Sequence, residues 1–144
     1  MIPRKLSQLD EEKLVVHLTS LQGEDRRLRF GAVVSDNYIE HYIHSSFDTQ
    51  SKWFGCEDQD GNLIAACHAA VKGDDAELGC SVDKQYRGCG LAQEMFDRAV
   101  NEEKKWASVL VSDPKVGIGA QLMQICVQTN DDGTTFYTKG VMPA

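Results

Sequence analysis

The sequence predicts an α/β protein in which helices flank a mixed, mostly antiparallel central sheet. Two apolar segments, residues 52–57 and 63–72, have the composition of strands and are separated by a turn sequence. A third strand, residues 76–82, precedes a glycine-rich turn, an amphipathic helix and a short apolar strand at 108–112. Antiparallel strands that lead into a strand–helix–strand unit are typical of a mixed α/β sheet.

Two helices are predicted before the sheet. Ser7 and Asp10 form an N-terminal capping signal, and the helix that follows is expected at about residues 8–21. Its apolar residues recur at helical spacing: Leu14, Leu18 and Leu21. Ser35 can cap a second helix over residues 36–47. We expect the large side chains on one face of this second helix to lie in the core: Tyr38, Ile39, Tyr42 and Ile43.

Turn signals separate the strands of the sheet. Residues 58–62, Asp-Gln-Asp-Gly-Asn, contain the Asp-Gly pair that favours a β-hairpin, and residues 72–75 form a second polar turn. The helix after the third strand is expected over residues 90–107. Its apolar residues keep helical spacing: Leu91, Met95, Phe96, Ala99 and Val100.

The C-terminal part of the chain is expected to complete the sheet. Pro114 suits the first turn of a weak helix over residues 114–124, although two interior glycines disfavour it by roughly 1 kcal/mol each. Residues 125–130 and 134–141 are separated by Asp-Asp-Gly and predict a final hairpin. Because no repeat or linker divides the chain, residues 1–144 are predicted to form one domain.

The charge and hydropathy of the chain exclude several classes of function. The net charge of -7 argues against nucleic acid binding, which needs clustered Lys and Arg. It favours cationic small molecules or amines as partners. No apolar run approaches the roughly 20 residues that span a membrane. The N-terminus is charged and lacks a secretory signal, so we expect a cytoplasmic protein without membrane attachment.

The cysteines carry no metal or disulfide pattern. They show neither a Cys-x-x-Cys pair nor the spacing of a zinc site, and they lie mostly inside apolar segments: Cys56, Cys67, Cys80, Cys89 and Cys126. This scatter indicates free buried thiols in a reducing compartment. The His, Asp and Glu residues show no metal-ligand spacing either, so we expect no metal.

The segment Gln85–Ala92, QYRGCGLA, places two glycines between a strand and a helix. Such loops bring the backbone close to a phosphate. A P-loop is excluded, because the chain has no Gly-x-x-x-x-Gly-Lys-Ser/Thr string. A dinucleotide fingerprint is excluded too, because Gln93 occupies its third glycine position and the acidic residue expected about 20 positions later is absent.

The remaining pattern resembles that of the GCN5-related N-acetyltransferases, the GNAT superfamily. Arg87-x-x-Gly90-x-Ala92 matches the Gln/Arg-x-x-Gly-x-Gly/Ala motif of that family. The surrounding residues 77–100 show the same apolar strand, polar turn, glycine loop and amphipathic helix. Residues 24–43 also look like those of a bacterial branch of the family. The resemblance implies a GNAT fold and acetyl-CoA as cosubstrate.

The loop has a physical reason to hold coenzyme A. Unpaired N–H groups and the positive end of the dipole at a helix N-terminus attract a pyrophosphate, and Gly88 and Gly90 remove Cβ atoms that would block it. The resemblance implies that backbone amides of five residues wrap this pyrophosphate: Arg87, Gly88, Gly90, Leu91 and Ala92. It also implies that the backbone of Cys80 and Val82 contacts the pantetheine arm as an added strand would. The alternative is a glycine-rich helix cap without a ligand.

Acetyl transfer to an amine needs a base, an oxyanion stabiliser and an acid for the leaving thiolate. By the resemblance, Glu77 on the strand before the loop is the matching carboxylate, although a solvated strand-end glutamate is the alternative. Many family members carry a tyrosine acid within a Leu-Tyr…Gly-Phe string, which residues 116–130 lack. The acid is then Tyr137, Tyr86 or water, and each tyrosine could instead serve packing.

Other polar residues are weaker candidates. Cys89 lies in the loop, but no base is predicted near it, so we do not expect a nucleophile. His41 and His44 either line a substrate cleft or lie on the surface. Arg26 and Arg27 are expected to be solvated.

The sequence therefore predicts an acetyl-CoA-dependent N-acetyltransferase that moves acetyl directly to a primary amine of a small molecule or peptide. The missing motif tyrosine keeps a non-catalytic acyl-CoA-binding or sensing module as the alternative, and a plain interaction domain as a third. Homodimerisation is compatible with the fold. The acceptor has no transferable motif.

Overall fold

The computed structural model describes the backbone of residues 2–72, 75–102, 108–112, 122–129 and 135–141, and the side chains of residues 2–70 and 78–99. Four helices lie in this part of the chain: α1 (Glu11–Thr19), α2 (Gly23–Phe30), α3 (Asp36–Ser46) and α4 (Leu91–Glu102). The strands are β1 (Arg4–Leu6), β2 (Lys52–Glu57), β3 (Leu63–Lys72), β4 (Asp75–Val82), β5 (Ser108–Ser112), β6 (Leu122–Thr129) and β7 (Thr135–Val141). Within the described residues, no helix is long and apolar enough to cross a membrane.

The described strands form one sheet, in the same order in space as in the chain. Neighbouring strands are antiparallel except β4 and β5, which are parallel because α4 connects them. The predicted hairpin at residues 58–62 is confirmed: the Gly61 amide donates to the Asp58 carbonyl, and Gly61 has a φ of 81°. The mixed, mostly antiparallel α/β sheet predicted from the sequence is thus confirmed.

Two apolar layers cover the two faces of the sheet. On one face, α4 buries Leu91, Met95, Phe96 and Ala99 against β4 residues Leu78, Cys80 and Val82. On the other face, α1 and α3 bury Leu14, Leu18, Ile39 and Ile43 against Trp53 and Ala66. Successive side chains of a strand point to opposite faces, so Gly79 and Ser81 of β4 face the layer that contains α1 and α2.

The first helix begins as the sequence predicts. The Ser7 side chain accepts a hydrogen bond from the Leu9 amide, and the Asp10 carboxylate accepts one from the Ser7 amide, which completes the capping box. A 3-10 turn at Gln8–Asp10 then leads into α1. The Ser35 cap of α3 is also confirmed, since its side chain accepts from the Tyr38 amide.

Four sequence predictions of local structure were wrong or incomplete. Strand β1 and helix α2 were not predicted, because β1 has three residues and α2 lacks an apolar face. Leu122–Gln124 were predicted as part of a helix. They instead belong to β6 and pair with Leu110–Ser112 of β5, because strand pairing outweighs their helix propensity. Tyr38 was expected in the core, but half of its surface is exposed. The rest of the predicted helix over residues 114–124 lies outside the described residues, as do residues 103–107.

Candidate functional site

The loop between β4 and α4 has a backbone that only glycine adopts easily. Gly88 and Gly90 both have a φ of 81°, in the left-handed region. A Cβ atom at either position would meet no other atom within 4 Å, so the backbone is open on that side. Helix α4 begins directly after Gly90, whose carbonyl accepts the amide of Glu94. The amides of Leu91 and Ala92, in the first turn, have no acceptor within the helix and can face a ligand.

A cavity of about 430 Å³ adjoins this loop. It is enclosed by α2, the C-terminal half of β4, the loop and the first turn of α4. All seven residues that the sequence predicts for coenzyme A line it: Cys80, Val82, Arg87, Gly88, Gly90, Leu91 and Ala92. The structure thus brings the seven together, while their contact with a cofactor stays a prediction.

The edge of β4 beside this cavity is open. β5 pairs with β4 from Asp75 to Gly79, and in the described part of the chain no strand continues this pairing beyond Gly79. On its other edge β4 stays paired with β3 as far as Val82. Apart from the Val82 carbonyl, which accepts Arg87 Nε, the backbone groups of Cys80–Val82 that face away from β3 are therefore available to an extended ligand, as an added strand would use them.

The Arg87 side chain links the loop to neighbouring elements. Its Nε donates to the Val82 carbonyl at 2.9 Å, and its guanidinium lies 3.2–3.3 Å from the carboxylate of Asp25 on α2. These contacts join the loop, the end of β4 and α2. The sequence predicted Arg87 but missed Asp25, because nothing in the sequence relates two residues that are this far apart in the chain.

Arg29 is the other arginine that lines the cavity, and the sequence did not predict it. Its guanidinium lies directly against the Gly79 backbone, since a Cβ atom on Gly79 would be 2.6 Å from Arg29 Cζ. Arg29 Cζ also lies 4.8 Å from the ring centroid of Phe30 and 5.7 Å from that of Tyr42. The charged residues around Arg29 predict a solvated segment. A helix with so polar a composition has no hydrophobic periodicity by which it could be recognised.

Arg26 was expected to be solvated, but the structure shows that it is largely buried. Its side chain is only 12% exposed and donates to the carbonyls of Thr19, Leu21 and Val34, besides pairing with Asp36. Arg27, by contrast, pairs with Glu24 on the surface of α2, as a solvated residue would.

A buried polar cluster ties α1 to the end of β4. His17 Nε2 lies 2.8 Å from Ser81 Oγ, in a hydrogen bond whose donor depends on the tautomer of the ring. His17 Nδ1 lies 3.0 Å from Asp83 Oδ1, but this contact does not meet the angular requirement of a hydrogen bond. The cluster therefore fixes the position of Ser81, which also lines the cavity.

The two catalytic candidates from the sequence are described only in their backbone. Glu77 lies in β4 opposite Ala70 of β3 and Leu110 of β5, and Tyr137 lies in β7 opposite Val127. Their side chains lie outside the described residues. Tyr86, the other candidate acid, is half-buried and lines the cavity.

The remaining candidates lie on the surface or in the core. Cys89 is exposed, whereas Cys56, Cys67 and Cys80 are buried free thiols, and the side chain of Cys126 lies outside the described residues. His41 and His44 are exposed, and His44 Nδ1 lies 2.7 Å from a carboxylate oxygen of Glu11. Among the described side chains, no group of His, Cys, Asp or Glu could hold a metal ion.

Comparison with known proteins relates this chain to a family. The model of the acetyltransferase (GNAT) family matches residues 18–112, which is well over half of the chain. That range includes α2, β4, the glycine loop and α4. No curated protein matches the sequence.

Solved structures with the same fold come from several bacteria. A GNAT-family acetyltransferase from Staphylococcus aureus is 14% identical, with a TM-score of 0.59 over 77% of this chain and 71% of that one. The GNAT domain of S. lividans PAT is 17% identical, with a TM-score of 0.62 over 97% of this chain and 89% of that one. A ribosomal-protein-alanine N-acetyltransferase from Brucella melitensis is 13% identical, with a TM-score of 0.57 over 77% and 73%. On the family match together with this shared fold, the chain belongs to the GNAT acetyltransferase family.

Proposed function

We propose that this protein binds acetyl-CoA in the cavity beside β4 and transfers the acetyl group directly to a primary amine of a small molecule or peptide. The amides of Gly88, Gly90, Leu91 and Ala92 would hold the pyrophosphate, and the open edge of Cys80–Val82 would hold the pantetheine arm. The Arg87 amide, also expected to contact the pyrophosphate, instead donates to the Lys84 carbonyl. Bound acetyl-CoA supplies an acetyl thioester. Neither a metal nor a covalent enzyme intermediate is part of the proposal.

The observation that carries this proposal is the joint geometry of the loop and the strand edge. Two open glycine positions at the start of α4 lie in the same cavity as the part of β4 that β5 leaves unpaired. A glycine-rich cap without a ligand explains neither the open strand edge nor the shared cavity. An anionic head followed by an extended amide-containing arm fits both features.

The chemical roles of single residues are also proposals. Glu77 would accept the proton of the amine, directly or through water, and Tyr137 or Tyr86 would return a proton to the leaving thiolate. Tyr86 is supported by its place in the cavity wall. Glu77 is supported by its backbone position, two residues before Gly79, where the described pairing of β4 with β5 ends.

Binding is tested by calorimetric titration of coenzyme A and acetyl-CoA into the wild-type protein and two glycine variants. Gly90→Ala adds a Cβ on the open side of the loop, and we expect its affinity to fall about tenfold or more. Gly61→Ala is the matched control, because Gly61 has the same φ of 81° in a hairpin turn outside the cavity. If wild-type protein binds neither ligand, the proposal fails and a plain interaction domain remains.

Catalysis is tested by measuring free thiol release from acetyl-CoA with a panel of amines. The Brucella relative acts on a ribosomal-protein alanine, and a chimera that is 16% identical, with a TM-score of 0.56, is a spermidine N-acetyltransferase. Peptide N-termini and polyamines therefore belong in the panel beside amino acids. Coenzyme A binding without thiol release from any amine would support the non-catalytic alternative instead.

Location and assembly extend the proposal. We place the protein in the cytoplasm, because Cys67 and Cys80 are neighbours across β3 and β4 and remain free thiols. A hydrogen bond with the Cys80 thiol, together with burial, raises the pKa of Cys67, which keeps its thiol protonated and unreactive. A homodimer is proposed from the fold alone, and sedimentation velocity would test it.

A further inference from the structure

We propose that Arg29 forms a carboxylate-binding site at the inner end of the cavity. The carboxylate would belong to the acceptor amine, as in an amino acid, or to the acyl group of the donor. This inference rests on the proposed function and names the chemistry of the molecule that meets the acyl group.

Two of the three guanidinium nitrogens of Arg29 are buried and have no hydrogen-bond partner among the described residues. Its Nε and Nη2 atoms are inaccessible to solvent and find no acceptor in the part of the chain that the structure describes. The Phe30 and Tyr42 rings attract its charge, but a ring face does not satisfy N–H groups that point elsewhere. A buried unpaired charge is costly, so this arrangement is expected only where a ligand completes it.

Arg29 lies at the opposite end of the cavity from the glycine loop. On α2, Asp25 contacts Arg87 at the loop, and Arg29, one helical turn further, contacts Gly79. Gly79 is also the last residue of β4 that pairs with β5. At about 3.3 Å per residue, it lies roughly 10 Å from Val82, where the strand ends. Arg29 is therefore too far along the strand to serve the pyrophosphate, and it faces the position of the acyl group.

Among the described side chains of the cavity wall, none neutralises the charge of Arg29. Among the described residues that line the cavity, the charged ones are Asp25, Arg29 and Arg87. Asp25 is already paired with Arg87. No other described residue of the wall supplies a negative charge, so the inner end favours an anionic group on the ligand.

A carboxylate fits this position better than other anions. The guanidinium presents parallel N–H groups that match the two oxygens of a carboxylate. The aromatic rings of Phe30 and Tyr42 lie beside the guanidinium, with centroids 4.8 and 5.7 Å from Cζ, and make its surroundings partly apolar. An amino acid or a dicarboxylic acyl group could each place a carboxylate here while its reacting carbon or nitrogen lies at the end of the pantetheine arm.

The first experiment distinguishes the acceptor as source. Thiol release from acetyl-CoA is compared for L-amino acids, their α-amides and the amines that lack the carboxyl group, using wild type, Arg29→Gln and Arg29→Lys. We expect wild type to prefer the amino acids and Arg29→Gln to lose that preference through a rise in KM of about tenfold to hundredfold. Arg29→Lys should recover part of it, because the charge is kept and the fork is lost.

The second experiment distinguishes the acyl group as source. Calorimetry compares acetyl-CoA with malonyl-CoA and succinyl-CoA on the same variants. If the carboxylate belongs to the donor, wild type binds a dicarboxylic acyl-CoA about tenfold more tightly than acetyl-CoA, and Arg29→Gln abolishes the difference. Thermal shift by free amino acids, with coenzyme A present, supplies a readout that needs no turnover.

Matched controls separate this inference from the proposed function. Arg27→Gln removes an arginine from the same helix, but Arg27 pairs with Glu24 on the surface and should behave as wild type. Coenzyme A affinity should be unchanged in Arg29→Gln. If coenzyme A binds but no carboxylate-bearing ligand is preferred in any arm, the inference is wrong while the proposed function stands. A loss of coenzyme A affinity in Arg29→Gln would also overturn it, because Arg29 would then hold a phosphate.

Discussion

His68 illustrates how a single residue depends on the packing around the cavity. Its ring stacks on Trp53 with centroids 4.3 Å apart, and the Tyr42 hydroxyl hydrogen-bonds to its Nδ1. Burial, with a smaller contribution from the Arg29 charge, lowers the pKa of His68 to about 3. The ring is therefore neutral in the folded protein, and its Nδ1 can accept a hydrogen bond from the Tyr42 hydroxyl.

We predict that His68 makes the protein less stable as the pH falls below the pKa of an unfolded histidine. The unfolded chain takes up a proton near pH 6.5, and the folded protein does not until about pH 3, so stability is full above that window and falls within it. Urea unfolding should show about 2 kcal/mol less stability at pH 5 than at pH 7 from this residue.

The variant His68→Gln should flatten this pH dependence. His44→Gln is the control, since His44 is an exposed histidine beside Glu11. A flattening that appears only in His68→Gln belongs to the buried ring. Identical slopes of stability against pH in wild type and His68→Gln would show that His68 takes up its proton in the folded protein over the same pH range as in the unfolded chain.

Residues differ in how far the sequence reveals their role. Gly88 and Gly90 could be recognised because a left-handed backbone at the start of a helix demands glycine, and that demand is local. Arg29 could not, because its importance comes from the partners it lacks and from its contact with Gly79, fifty residues later in the sequence. A charge run is consistent with either environment until the fold is known.

At the scale of elements, α2 is a polar helix whose position depends largely on hydrogen bonds from Arg26. Arg26 spans from α2 to the end of α1 and to the residues before α3, through three carbonyls and Asp36. Its neighbours in the helix contribute no fully buried side chain. The position of the cavity wall that α2 forms therefore depends on hydrogen bonds more than on apolar packing.

We predict that Arg26→Gln destabilises the protein by about 2–3 kcal/mol, because several buried carbonyls lose a charged donor. Arg27→Gln, whose partner is a surface glutamate, should change stability by less than about 0.5 kcal/mol. Urea unfolding of both variants measures the difference. Equal stabilities would mean that α2 is held by other contacts.

The link between α1 and β4 gives a second prediction at this scale. Ser81→Ala leaves His17 Nε2 buried without its hydrogen-bond partner, which should cost about 1–3 kcal/mol of unfolding free energy. Acetyl transfer by the folded variant should be largely retained, because Ser81 is assigned a structural role. Unchanged stability with abolished transfer would instead place the Ser81 hydroxyl in the chemistry.

The elements were predictable where their signal was local and contiguous. The capping box at Ser7, the Ser35 N-cap, the Asp-Gly hairpin and the amphipathic α4 follow from spacing and were confirmed. Residues 122–124 were assigned to a helix because Leu, Met and Gln favour one, but their pairing with β5 decides the outcome. The open edge of β4 likewise could not be predicted from the sequence, since it depends on where the pairing with β5 ends.

At the scale of the whole molecule, the cavity lies where separate parts of the fold meet. Helix α2 belongs to the layer on one face of the sheet, α4 to the layer on the other, and β4 runs between them. Arg87 already connects α2, β4 and the loop in this structure. A ligand in the cavity therefore contacts elements of both layers and should stabilise them together.

We predict that saturating coenzyme A raises the melting temperature and protects a defined set of amides from hydrogen exchange. At one hundred times Kd the stabilisation is about 2.7 kcal/mol, or about 9 °C for a domain of this size. Protection should concentrate at residues 80–82 and 87–92 and extend to α2 through Asp25. Helix α3, which does not line the cavity, supplies the internal control.

The distribution of protection decides between this cavity and another place on the surface. A second hollow lies between α1 and α3, lined by Glu11, Glu12, Val15, Val16, Glu40 and His44. Its acidic rim repels the phosphates of coenzyme A, so we expect no protection there. Protection of α1 and α3 with an unchanged glycine loop would contradict the proposed site even if the melting temperature rises. In Gly90→Ala the protection of residues 80–82 and 87–92 should fall together, because one ligand spans both segments.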